Sequence, residues 1–109
     1  MKMITAIVNK KDTVRVCEAL TNNGVEFTRL ATTGGFLRAG NTTLMIGIDD
    51  ERLESTLELL RKNCAKRMEK VPSPNTMQAP VHVQTPQVAE VMVGGAIVFV
   101  NDITYFEKM

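Results

Sequence analysis

The chain has 109 residues, 44% of them apolar and 23% charged, with a net charge of +1. That length fits a single domain over residues 1–109, and the near-neutral charge gives no electrostatic support to a general nucleic-acid or membrane partner. No apolar run approaches the roughly 20 residues needed to insert in a membrane, and Met1-Lys2-Met3-Ile4 runs straight into a strand pattern without a signal-peptide core, so a cytoplasmic location is expected.

Residues 2–8 are apolar and β-branched, as in a buried strand. Asn9 offers an N-cap with Asp12 as its acidic partner, and a helix is predicted over residues 10–23. Val14, Cys17 and Leu20 recur every three residues and are expected to face the sheet. Gly24 stands where a left-handed residue ends a helix. Residues 25–31 alternate like a strand, with Val25 and Phe27 on one face and Glu26, Thr28 and Leu30 on the other. A turn-prone stretch from Thr32 to Asn41 leads to a strand over residues 42–48.

Asp49 is suited to cap a second helix over residues 50–63, with Ile48 and Leu53 as a hydrophobic staple. Leu53, Leu57, Leu60 and Cys64 mark its inner face, while Glu51, Glu54, Glu58, Arg61 and Lys62 form its solvated side. Residues 65–71 make a weak, charged strand pattern. Residues 72–87 hold all four prolines and little that could form a core, which reads as a long mobile loop. Residues 88–100 are the strongest apolar run, interrupted by Gly94-Gly95 as a bulge or a close backbone approach. Tyr105 and Phe106 could anchor the tail on a neighbouring surface.

Strand, helix and strand thus occur twice, and residues 4–12 and 44–52 share a pattern of apolar strand, polar cap and helix start. The pattern gives an α+β fold, a ferredoxin-like βαββαβ sandwich with a C-terminal strand extension. Ile4, Ala6, Leu44, Ile46, Val91, Val93 and Val98 offer more apolar strand positions than two short helices can cover, so a partner subunit is expected to cover the rest.

Little supports catalysis. His82 is the sole histidine and lies in the Pro-rich loop, where a general base would lack fixed orientation. No nucleophile, phosphate-loop or zinc motif is present. Cys17 and Cys64 are too far apart for a CxxC pair and read as small core hydrophobes. Asp49-Asp50-Glu51 reads as helix capping rather than a cation site. Met3, Met45 and Met92 read as core. No catalytic residue, metal site or cofactor is therefore assigned.

The stretch from Thr32 to Asn41 is different. Three glycines allow close backbone approach, and successive N–H groups in such a turn can cradle an anion. Thr32, Thr33, Asn41, Thr42 and Thr43 add neutral donors and acceptors. Phe36 and Leu37 put an apolar pair in this polar loop. Two readings stay open at this level: Phe36 covers a purine face, or it tucks into the protein's own core.

The run Leu30-Ala31-Thr32-Thr33-Gly34-Gly35-Phe36-Leu37-Arg38-Ala39-Gly40-Asn41-Thr42-Thr43 resembles the signature of the PII-like cyclic di-AMP receptors of bacteria. Met1-Lys2-Met3-Ile4-Thr5-Ala6-Ile7-Val8 and Val93-Gly94-Gly95-Ala96-Ile97-Val98-Phe99-Val100 are similar to that family as well. The resemblance implies a ferredoxin-like fold, a PII-like homotrimer and a cyclic di-AMP bound in each of three clefts between subunits. By matching position, the ligand contacts it implies are Thr28, Gly35, Phe36, Leu37, Asn41, Gly47 and Phe99. Asn41 would read an adenine edge, Phe36 and Leu37 would cover the purine, and Thr28 would hold phosphate or ribose. The chain departs from the pattern at Glu26, where binding members can carry an arginine, and at Lys108, in place of a glutamine. Arg29, Arg38 and Lys108 are the cations expected to pair with Glu26. The implied role is signalling through an unnamed downstream protein. The alternatives are a PII-type regulator answering to ATP or ADP, and a structural or metal-binding trimer on the same fold.

Overall fold

The computed structural model describes residues 1–32, 40–72 and 88–109. Strand β1 (Lys2–Asn9) alternates as its sequence predicts: Ile4, Ala6 and Val8 are buried, and Met3, Thr5 and Ile7 are half-buried on the other face. Asn9 ends the strand in an extended conformation and accepts a hydrogen bond from the Lys11 N–H at 2.9 Å. That cap starts a 3-10 turn, Lys10–Asp12, which runs into helix α1 (Thr13–Asn22). The helix closes as a Schellman motif: Val25 N–H donates to the Leu20 carbonyl at 2.9 Å, and Gly24, at φ +70°, donates to that of Thr21 at 3.0 Å.

The intervening 3-10 turn corrects the expected helix face. Thr13, Val16 and Leu20 are the buried positions of α1, Cys17 is half-buried, and Val14 is 66% exposed. Thr13 fixes this rotation, because its hydroxyl lies 3.3 Å from the Asn9 carbonyl and 3.2 Å from Thr42 Oγ1.

Strands β2 (Thr28–Thr32) and β3 (Asn41–Ile48) follow, and β3 leads through a second 3-10 turn, Asp50–Arg52, into helix α2 (Leu53–Cys64). The repeated strand–cap–helix pattern is therefore built twice. Asp49 has the extended cap conformation, but its backbone carbonyl, not its side chain, makes the turn bond, accepting from Arg52 N–H at 2.9 Å. Two arginines clasp the helices antiparallel. Arg15 donates to the Asn63 carbonyl, and Arg52 donates to that of Asn23, each at 2.8 Å.

After α2 come β4 (Arg67–Pro72), β5 (Val88–Val93) and β6 (Ala96–Asp102). The main sheet is antiparallel in the order β2-β3-β1-β6, the ferredoxin-like arrangement, with both helices over one face. Among the described residues, strands β4 and β5 pair only with each other, as a hairpin inserted ahead of the last sheet strand. Gly94 and Gly95 divide the apolar run between two sheets, with φ of +84° and +89°. A methyl group built on Gly94 would lie 2.9 Å from the Ala65 carbonyl oxygen and 2.8 Å from Arg67 Nη1, so this is a close approach.

The core joins Ile4, Ala6, Val8, Leu44, Ile46 and Ile48 to Val16, Leu20, Leu60 and Cys64. The residues left uncovered are not the ones the sequence singled out. Ile4, Ala6, Leu44 and Ile46 are fully buried beneath the helices, Val93 is buried, and only Val91 and Val98 of that set are exposed. Met45 and Met92 are exposed as well, and Met3 is half-buried. Period-two geometry explains Met45, which alternates with buried Leu44 and Ile46 and so faces away from the helices.

Candidate functional site

The register of the main sheet brings several candidate residues onto one face. Phe99 of β6 stands opposite Thr5 of β1, Thr5 opposite Met45 of β3, and Met45 opposite Thr28 of β2. This row crosses the whole sheet on the face away from the helices. Phe99 and Thr28 occupy its two ends, three strand spacings or about 14 Å apart. Gly47 lies on the same face two residues beyond Met45, opposite Met3. A methyl group built on Gly47 would meet only Met1 Cε, at 3.9 Å, so this glycine leaves open space. Asn41 begins β3 at the other end of that face, flanked by Asn9 and Thr32.

Among the described residues this face is apolar and uncovered: Leu30, Met45 and Phe99 are 41%, 37% and 45% exposed. Met3, Ile7 and Ile97 are half-buried beside them. Thr43 shares the face and is buried, whereas Thr42 turns to the helix side, where Thr13 holds it.

The remaining candidates fall elsewhere. Glu26 is exposed and precedes β2, outside the ladder. Arg29 pairs with buried Leu44, and so sits on the helix side, in a shallow recess with Val14, Cys17 and Glu18. Lys108 lies in the exposed segment after β6. Among the described residues, neither of these cations forms an ion pair with Glu26. Gly35, Phe36, Leu37 and Arg38 lie outside the described residues, as do His82 and the rest of the Pro-rich stretch over 73–87.

Sequence reasoning missed Thr5 and Met45, which complete the row between Phe99 and Thr28. The signal was available, since Met45 is two residues from Gly47 and strand faces repeat every two. It also missed the burial of Asp12. This carboxylate is fully buried, and its Oδ1 accepts from Arg15 Nη2 and Arg67 Nη2, each at 2.9 Å. Nothing local announces that arrangement, because Arg67 is 55 residues away. Near it, burial pushes the Cys64 thiol up to about 11, an effect that the Asp12 charge reinforces.

The described residues hold no cluster of three or more histidine, cysteine or acidic side chains able to bind a metal, and no helix among them is long and apolar enough to cross a membrane. What the helix-free face offers is a hydroxyl, an amide, an aromatic ring and bare backbone on an apolar floor, which suits recognition of a nucleobase and its sugar-phosphate.

A solved structure described as a functionally unknown protein from Pediococcus pentosaceus ATCC 25745 is 38% identical, with a TM-score of 0.80 over 99% of this chain and 96% of that one. The family model described as cyclic-di-AMP receptor matches residues 1–109, the whole chain. The protein belongs to the cyclic-di-AMP receptor family.

Proposed function

We propose that this protein is a cytoplasmic receptor that binds cyclic di-AMP in clefts between neighbouring subunits of a homotrimer, reorders the loops around the ligand, and so changes its contact with a downstream protein. The observation that carries this reading is the position of Phe99 and Thr28 at opposite ends of one cross-strand row. Two residues about 14 Å apart can meet the same purine and its phosphate closely when they come from different chains. The uncovered apolar face supports assembly, since a contiguous patch of this kind is normally buried by a partner.

Within the cleft, Asn41 reads an adenine edge, while Phe36, Leu37 and Phe99 supply apolar cover. Thr28 donates to phosphate or ribose. Gly35 and Gly47 leave room for close approach. Nothing in this set needs to break a bond, and binding rather than catalysis is the function.

Calorimetry with cyclic di-AMP, cyclic di-GMP, ATP and ADP, combined with light scattering, tests the reading. The expected results are a particle three times the 12.1 kDa chain, one cyclic di-AMP per subunit, and weaker binding in Asn41→Ala. A stable monomer at micromolar concentration overturns the inter-subunit site. Tighter binding of ATP or ADP moves the assignment to the other adenine-nucleotide reading.

A further inference from the structure

The junction Asn9-Lys10-Lys11-Asp12 touches two parts of the molecule. On one side it holds the stem that leads into β3. Asn9 pairs with Asn41, and Lys10 N–H donates to the Gly40 carbonyl at 3.3 Å. On the other side it holds the base of the β4–β5 hairpin. Asp12 Oδ1 accepts from Arg67 Nη2 at 2.9 Å, and Lys11 Nζ lies 3.8 Å from Glu69 Oε1.

The Asp12–Arg67 contact is only half made. Among the described residues, Asp12 Oδ2 is buried with no hydrogen-bond partner, an unfavourable state for a carboxylate oxygen. Arg67 Nη1 instead reaches the Ala65 carbonyl at 3.5 Å, a long contact. Both atoms border Gly94: a methyl group there would lie 2.8 Å from Nη1 and 3.1 Å from Oδ2. A small movement of Arg67 would exchange its contact with Ala65 for a two-pronged grip on Asp12, the stronger geometry for this pair. This ion pair, one-pronged as it stands and with a second donor within reach, lies at the root of a hairpin whose other strand is followed by two left-handed glycines.

We propose that the junction couples the ligand stem at Gly40 and Asn41 to the orientation of the β4–β5 hairpin, with Asp12 as the positioning residue and Arg67 switching between one-pronged and two-pronged contact. The proposal rests on the cyclic di-AMP receptor reading above.

Amide hydrogen exchange tests it, on the full chain with and without saturating cyclic di-AMP. In the wild type, the ligand is expected to slow exchange in β4 and β5 by about tenfold or more, along with that of β3. In Arg67→Ala, β3 keeps its ligand protection and the hairpin changes by less than about twofold. Arg67→Lys, which can point one donor at Asp12 but cannot grip both oxygens in parallel, keeps wild-type exchange without ligand and still loses the hairpin response. A merely structural ion pair would be rescued by lysine in both states. An equal hairpin response in Arg67→Ala, or a wild-type hairpin indifferent to ligand that protects β3, overturns the coupling. If the ligand protects nothing in the wild type, the ligand assignment falls instead. The ligand-free variants Asn9→Ala and Arg67→Ala and their double then decide: a double no faster in hairpin exchange than the larger single supports coupling, and effects that simply multiply overturn it.

Discussion

Asp12 and Arg67, 55 residues apart in sequence, join the start of the first helix to the first strand of the hairpin through one 2.9 Å bond to a fully buried oxygen. Removing a charge from a fully buried pair costs about 3–5 kcal/mol. Here the two arginines are 52% and 36% exposed, so water can take them back. Asp12→Asn is therefore expected to lose about 2 kcal/mol of stability. Urea denaturation measures it, and a loss near zero would mean that the buried carboxylate contributes nothing net.

Gly94→Ala and Gly47→Ala should differ sharply. At Gly94 the added methyl meets backbone oxygen at 2.9 Å, and the residue is held at φ +84°. Strain and clash together predict a loss of about 2–4 kcal/mol. At Gly47 there is space and an ordinary backbone, so folding should change by less than about 0.5 kcal/mol. If Gly47 does border the ligand, cyclic di-AMP affinity should fall nonetheless. Thermal melts and calorimetry separate the two effects.

Cys64 predicts a pH dependence. Its thiol is raised from 9.0 to about 11 in the folded protein, so the folded state holds the proton more tightly than the unfolded chain. This contribution is complete below pH 9 and is lost as pH rises through about 11. Its size is about 2 kcal/mol in order of magnitude. The wild type should lose more stability than Cys64→Ala between pH 8 and 11. Equal slopes would show that the thiol is not protected. Cys17, half-buried where Cys64 is buried, should alkylate before it in the native protein.

Met45→Lys places a charge in the middle of the uncovered sheet face. Met45 is 37% exposed on the face away from the helices, so the variant should fold with a stability change under about 1 kcal/mol. Its assembly should fail, because an unpaired charge would be buried in the interface. Sedimentation should find a folded monomer. An intact oligomer would remove this face from the interface.

Glu26 sets a carboxylate on the approach to Thr28. If Thr28 holds a ligand phosphate, reversing the charge with Glu26→Arg should tighten cyclic di-AMP binding about tenfold at low ionic strength, and less in added salt. Unchanged affinity at low salt would show that Glu26 does not face the phosphates.

The βαββαβ order was legible because both strand–cap–helix units carry strong apolar periodicity and a cap-type residue at the turn, Asn9 and Asp49, although only the Asn9 side chain makes the cap bond. Burial was legible where neighbouring residues differ, as for Val25 and Phe27 against the exposed Glu26 and Thr28, although β2 begins only at Thr28 and not at Val25 as the alternation suggested. It failed where both sides are apolar: Leu44 and Met45 look alike in sequence and point oppositely. It failed again at Val14, because a 3-10 turn changes the phase of the helix that follows. The Asp12–Arg67 pair was illegible for a different reason. A salt bridge between distant segments leaves no periodicity to read, and an aspartate three residues after a cap has an ordinary local explanation.

The two left-handed glycines at 94 and 95 have a consequence for solubility. Residues 88–100 would otherwise make one apolar ribbon thirteen residues long, on the outer edge of the main sheet. An edge of that length, flat and nearly uncharged, offers a row of unpaired amides to any second chain and is the usual template for cross-β stacking. Cutting it in two commits the first half to a hairpin with β4 and leaves only Ala96–Asp102 along the edge, ending at an ion pair between Asp102 and Lys2. The same two residues that carry the chain from the hairpin to the main sheet thus also guard the molecule against misassembly.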